Sequence, residues 1–188
     1  FGMFPYHRAI VASLALASCS SIVPSTAARL AAFDPLTADP AALELVVILP
    51  PGLAVSPGSA KLDLSADRGA EHRSGSFRLA DRALPANLDL PDGATARSFA
   101  IAGPDVERMR ALQTEIAGWK REGEAQGTLG LGLGGCAIGD GPAPDATGSV
   151  LIRVREDGPF LPLIAKGRLS DLLGADVLAA IKPCQGAE

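Results

Sequence analysis

The sequence predicts an α+β domain of mainly antiparallel β-sheet or sandwich, with one amphipathic helix over about 104–122 and a short C-terminal helical region over about 170–182. Three observations predict it. Segments of alternating apolar and polar residues are joined by turn signals only a few residues long, which suits antiparallel strands. A single stretch repeats its apolar residues at helical spacing. Apolar residues make up 47% of the 188-residue chain and mean hydropathy is positive, enough for a packed core and too apolar for a wholly disordered chain.

The first strand is read as Leu43 to Leu49, an apolar run broken only by Glu44 and closed by Pro50-Pro51-Gly52. Lys61-Leu62-Asp63-Leu64-Ser65 and Ser76-Phe77-Arg78-Leu79 alternate polar and apolar residues, so they predict a half-buried hairpin. The polar stretch between them, Asp67 to Arg73, reads as a loop in water. Asp92-Gly93 marks a turn into a strand over Ala96 to Ala102, with Phe99 and Ile101 on one face.

Gly103-Pro104-Asp105 opens the helix, because proline suits a first turn and aspartate complements its positive end. Val106, Met109, Leu112, Ile116 and Trp119 then form one stripe, which assigns Trp119 to the core, and Gly123 or Gly127 ends the helix. In Thr128 to Cys136, Leu129, Leu131 and Leu133 alternate with Gly130, Gly132 and Gly134, placing leucines on one strand face and glycines on the other. The glycine face admits a close neighbour, with Trp119 as a candidate. Gly130, Gly132 and Gly135 formally match a dinucleotide fingerprint. That motif needs a strand before it and a helix after it, whereas a helix precedes and Gly139-Asp140-Gly141-Pro142 follows. The nucleotide reading is rejected.

After a Pro/Gly/Asp loop from Asp140 to Gly148, Ser149 to Arg155 is a strand with Val150, Ile152 and Val154 inward. Asp157-Gly158 turns the chain into Phe160 to Ala165, where Pro162 argues for a sheet edge. Ser170-Asp171 is read as the cap of the last helical region, broken at Gly174 and stopped by Pro183. Strand order is not legible at this level.

The N-terminus carries an address. Phe1 and Gly2 precede Met3 and are set aside as non-native. From Met3 the order is a short cationic start containing Arg8, an apolar run from Ala9 to Leu16, and then Ala17-Ser18-Cys19. The run is far below the roughly 20 residues that a spanning helix needs, so it reads as an export signal. Leu16-Ala17-Ser18-Cys19 resembles the bacterial lipobox. The resemblance covers Met3 to Ser21. It implies diacylglyceryl transfer to the Cys19 sulfur, cleavage before Cys19 and a lipid-held mature chain, since each buried CH₂ contributes about 0.8 kcal/mol and stable anchoring takes more than one acyl chain. Ser20, not aspartate, after the cysteine implies the outer membrane by the enteric sorting rule. Ala15-Leu16-Ala17 also fits an ordinary secretory cleavage site ahead of Ser18.

On this reading residues 1–18 are signal, 19–42 are the lipidated cysteine and tether, and 43–188 form one β-rich domain. If Cys19 carries lipid, Cys136 and Cys184 remain as a pair for a disulfide in an oxidising compartment. The other reading is two buried thiols.

Catalytic equipment is sparse. His7 leaves with the signal, and His72, beside Glu71 and Arg73, is the remaining histidine, read as a solvated loop residue. With Cys19 and the expected bridge set aside, no zinc ligand set remains, and no cofactor is expected. Asp63, Glu71, Asp89, Asp92, Asp140 and Asp157 fall on outer strand faces or turns and match no calcium-loop spacing. Net charge is −4 with scattered arginines, so no basic footprint for nucleic acid is present. The expected function is a non-catalytic envelope lipoprotein, held on the membrane through its N-terminal lipid, that binds a protein partner or supports an envelope assembly. The alternatives are an envelope hydrolase using convergent carboxylates, or a carrier of an apolar ligand.

Overall fold

The computed structural model describes Leu36 and residues 38–185. After a 3₁₀ turn at Pro40–Ala42, the order is β1 (Glu44–Leu49), β2 (Leu53–Val55), β3 (Lys61–Arg68), β4 (Glu71–Arg82) and β5 (Thr95–Ile101). Then follow α1 (Gly103–Glu122), β6 (Gln126–Gly132), β7 (Gly135–Ala137), β8 (Thr147–Arg153), β9 (Leu161–Arg168), α2 (Leu169–Leu173) and α3 (Ala175–Ala179). This is the mainly antiparallel α+β architecture expected, realised as one large sheet and a separate pair of short strands, β2 and β7.

Seven strands pair in the order β6-β3-β4-β5-β1-β8-β9, every neighbour antiparallel. β1 is therefore interior, and its apolar run is explained because it is covered on both faces. Leu45 and Val47 join the main core with Leu62, Leu64, Phe77, Phe99 and Ile152. Glu44, Val46 and Ile48 are buried on the opposite face. Proline-bearing β9 lies at a sheet edge, as its sequence requires.

Helix α1 closes the main core through Met109, Ile116 and Trp119, and Gly123 ends it by donating to the Trp119 carbonyl at 3.1 Å. Its first turn is held to the sheet by Asp105, which accepts the Arg78 backbone N–H at 2.7 Å. The side chains of Phe77, Leu64 and Ile116 are fully enclosed. Burying each contributes about 1.5–3 kcal/mol. Leu36 and Pro40 are also buried, and Gln113 donates to the Ala38 carbonyl at 3.0 Å, so the segment ahead of β1 packs on the helix. No helix among the described residues is long and apolar enough to cross a membrane.

Four sequence expectations are corrected. Asp67 to Arg73 is not a loop: β3 and β4 pair as far as Arg68 with Glu71, and only Gly69 and Ala70 turn the chain, with Gly69 at φ 59°. The ladder needs no apolar side chains to continue, because its bonds are in the backbone. The glycine face of β6 does not meet Trp119. Leu129 and Leu131 pair opposite Leu64 and Leu62, which places the leucines on the core side, and no atom stands within 4 Å of a Cβ built on Gly130. The Thr128–Cys136 strand is two strands, because the chain leaves the large sheet after Gly132 and β7 pairs with β2 instead. Finally, Ser170-Asp171 does not cap the last helical region. That region starts at Leu169 with no side-chain cap, and Gly174 breaks it at φ 87°.

Candidate functional site

The opposite face of the sheet is where a site forms. Across β5, β1 and β8 its residues lie in three rows: Ala100–Glu44–Arg153, Ser98–Val46–Leu151 and Ala96–Ile48–Ser149. The first row is ionic. Ser98 donates its hydroxyl to Glu44 Oε1 at 2.8 Å, and Arg153 Nη2 donates to Glu44 Oε2. The Arg153 guanidinium stacks on Phe160 with its Cζ 4.8 Å from the ring centre, while its Nε is enclosed without a hydrogen-bond partner. A carboxylate in an apolar strand needs such partners, since an unpaired buried charge is costly.

Ile48, Leu151 and Ser149 of the other two rows line a trough. Ile48, Leu151, Phe160, Pro162 and Ile164 form the floor, and the loop from Pro85 to Asp89 stands over it as a wall. This hollow has a volume of about 420 Å³. A second hollow of about 330 Å³, bounded by Pro50, Pro51, Pro91 and Ala94, lies next to it and shares Ile48, Ser149 and Lys166 in its lining. Sizes in this range, with apolar walls and a few placed polar groups, are those of ligand-binding clefts.

Local sequence explains the walls. Leu84-Pro85 takes the chain out of β4, and Pro91-Asp92-Gly93 turns it back into β5, with the Ala94 N–H donating to the Pro91 carbonyl at 3.0 Å. On the other side the pairing of β8 with β9 is irregular between Gly148 and Leu151. Bulges of this type re-aim a side chain. There Lys166 takes φ 48°, and its backbone N–H donates to Ser149 Oγ at 2.9 Å. Asn87, on the facing loop, takes φ 62°. Among the described residues these are the two non-glycine positions with positive φ, and both line the first hollow. Asparagine enters that region cheaply and lysine does not. Strained backbone of this sort gathers at ligand clamps.

Leu16, Ala17, Ser18 and Cys19 lie outside the described residues. Cys136 and Cys184 are joined by a disulfide with their Cα atoms 4.7 Å apart. The bridge reinforces a backbone clasp, in which Ala137 donates to the Lys182 carbonyl at 2.8 Å and Cys184 donates to the Ala137 carbonyl at 2.9 Å. Trp119 is buried, as its helical stripe requires, with Arg68 and Arg73 stacked 4.5 and 5.0 Å from its ring centre. Glu71 and Glu122 hold Arg68, and Glu115 holds Arg73, so both arginines have carboxylate partners within the cluster.

His72 is on β4, not on a loop, and faces Asp67 at 2.6 Å on an exposed surface. Asp63 accepts the Ser76 hydroxyl at 2.6 Å. Of the six carboxylates considered from sequence, Asp89 is the one that lines the trough, so no two of them meet there. Among the described residues no cluster of His, Cys, Asp and Glu could hold a metal ion.

The trough was not legible in the sequence, although one signal pointed to it. Leu84, Leu88 and Leu90 crowd a segment that no strand or helix uses; Leu88 lines the trough, while Leu84 and Leu90 stay exposed. Comparison with protein-family models, with curated proteins and with solved structures finds no match for this chain.

Proposed function

We propose that this chain is a lipid-anchored, non-catalytic lipoprotein of the bacterial cell envelope that binds a protein partner or supports an envelope assembly, with the apolar trough as its binding surface. The observation that carries the address is Leu16-Ala17-Ser18-Cys19 set directly after an apolar run too short to span a bilayer. The sulfur of Cys19 is the attachment point for lipid, residues 1–18 are removed, and the body faces the periplasm from the outer membrane. The Cys136–Cys184 bridge supports that address, because disulfides persist in oxidising compartments. The partner-binding reading is supported by an open apolar surface with rigid proline-lined walls, which lose little freedom on docking.

Intact-mass analysis of protein extracted with detergent from a bacterial host tests the address. The expected species begins at Cys19 and carries acyl chains. A lipid-free polypeptide beginning at Ser18, or one retaining residues 1–18, would sink it. A second reading, a carrier of an apolar ligand, draws on the same floor of Ile48, Leu151 and Phe160. Its weakness is that the trough lies open to solvent, whereas small-ligand sites enclose most of their ligand. The third reading, a hydrolase using paired carboxylates, has a single acidic residue in the trough to work with.

A further inference from the structure

We infer that the trough takes an extended polypeptide segment of the partner, apolar along one side and bearing a carboxylate that pairs with Lys166. The inference rests on the trough being the docking surface, and it adds the chemistry of the occupant. Three observations carry it.

The first is charge. Lys166 lines both hollows and makes no ion pair among the described residues. Asp89, on the facing wall of the first hollow, is likewise unpaired. The trough therefore presents a free cation on its strand side and a free anion on its loop side, above an apolar floor. A fatty acid or similar amphiphile would satisfy only the cation. A polypeptide can set an acidic group toward Lys166, a donor or basic group toward Asp89 and apolar side chains toward the floor, and such complementarity fixes register and specificity.

The second is shape. The two hollows share Ile48, Ser149 and Lys166 in their linings, so side by side they make an elongated surface that suits an extended chain laid across both. The edge of β9 itself is blunted by Pro162 and by the irregular pairing with β8. The segment therefore docks on the sheet face and not as an added edge strand.

The third is strain. Lys166 takes a left-handed conformation and its backbone N–H donates to the Ser149 hydroxyl oxygen, so its backbone is fixed where the two hollows meet. Asn87, on the facing loop, is left-handed as well.

The test is selection of a random dodecapeptide display library on the purified full chain, followed by chemical-shift mapping of one selected peptide. The expected peptides alternate apolar residues and contain Asp or Glu, and the shifts centre on Ile48, Asn87 and Leu151. Changing the peptide's acidic residue to its amide, or Lys166→Gly in the protein, weakens binding by about tenfold, while Lys166→Arg retains it. Glycine accepts φ 48°, so Lys166→Gly removes the ammonium without disturbing the backbone. Two results would overturn the inference, and they are distinguishable. Peptides that map to the trough but are indifferent to both charge changes leave the docking surface standing and remove the carboxylate. Failure to select any peptide that maps to the trough, with laurate shifting the same resonances instead, removes the protein-partner reading itself in favour of an apolar ligand.

Discussion

Gly75 of β4 faces Leu112 of α1 so closely that a Cβ at position 75 would stand 2.9 Å from a leucine Cδ atom and 2.7 Å from the ring of Phe77. Real Cβ atoms do not approach so near, so the ends of the Leu112 and Phe77 side chains occupy this space because position 75 has no side chain. Gly75→Ala should push Leu112 and Phe77 off their rotamers, and overpacking of this kind costs about 1–3 kcal/mol. Denaturant unfolding of the variant measures it. An unchanged midpoint would mean that Leu112 and Phe77 move aside at no cost.

The pair of Glu44 and Arg153 joins β1 to β8 across 109 residues of sequence. Glu44→Leu leaves Arg153 without its anion. The side chain of Arg153 keeps 25% of its surface in water, so the loss should be about 2 kcal/mol, below that of a fully enclosed pair. Adding Arg153→Leu should recover most of it. A double-mutant cycle in urea checks the coupling, and additivity of the two single losses would show that the pair does not act as a unit.

Reduction should loosen the C-terminus before the sheet. The Cys136–Cys184 bridge spans a separation of 48 residues. Closing a loop of this size is worth about 4 kcal/mol in the chain-entropy model. Cys184→Ser should lower stability on that scale. Amide exchange should rise first in α2 and α3, whose Leu173 and Val177 are exposed and add little core of their own.

Acid should release helix α1. The backbone N–H of Arg78, and then the guanidinium of Arg108, hold the Asp105 carboxyl below its ordinary value. Arg110, with the Ala41 N–H, does the same for Asp39. A carboxyl depressed in the folded state contributes stability that is present above its unfolded pKa and is lost as pH falls through the folded value. Stability should therefore decline below about pH 4, and Asp105→Asn should flatten that decline while lowering stability near neutrality by about 2 kcal/mol. Urea midpoints measured across pH decide it. An Asp105→Asn profile parallel to that of the parent would disprove the assignment.

Lys166→Gly should leave the fold intact and raise its thermal midpoint, because the left-handed conformation at φ 48° costs a lysine about 1 kcal/mol that glycine does not incur. A lower midpoint would mean that the lysine stem contributes packing that outweighs its strain.

Much of this molecule is written locally. The continuous run through β1, the stripe on α1 from Val106 to Trp119, the turn at Asp92-Gly93 and the placing of Pro162 on an edge all follow from residues within a few positions of one another. Side-chain periodicity and turn chemistry act over that range. The Cys136–Cys184 bridge is one of the two states open to these cysteines from sequence, the other being a pair of buried thiols, and the fold brings them together. Where local reading failed, the backbone decided. The polar residues from Asp67 to Arg73 resemble a loop, yet they continue a ladder that no side chain specifies.

The sequence by itself determined the long helix, most of the strands of the large sheet and several of the turns between them. Only the tertiary structure decided that β1 lies between β5 and β8, that Glu44 meets Arg153, and that the loop of Asn87 stands over Ile48 and Leu151 opposite Lys166. The reason is physical. A strand's own residues fix which of its faces is apolar, but any apolar face can lie against many others. Which neighbours it takes is settled by the packing of the whole core and by charges brought together from distant parts of the chain.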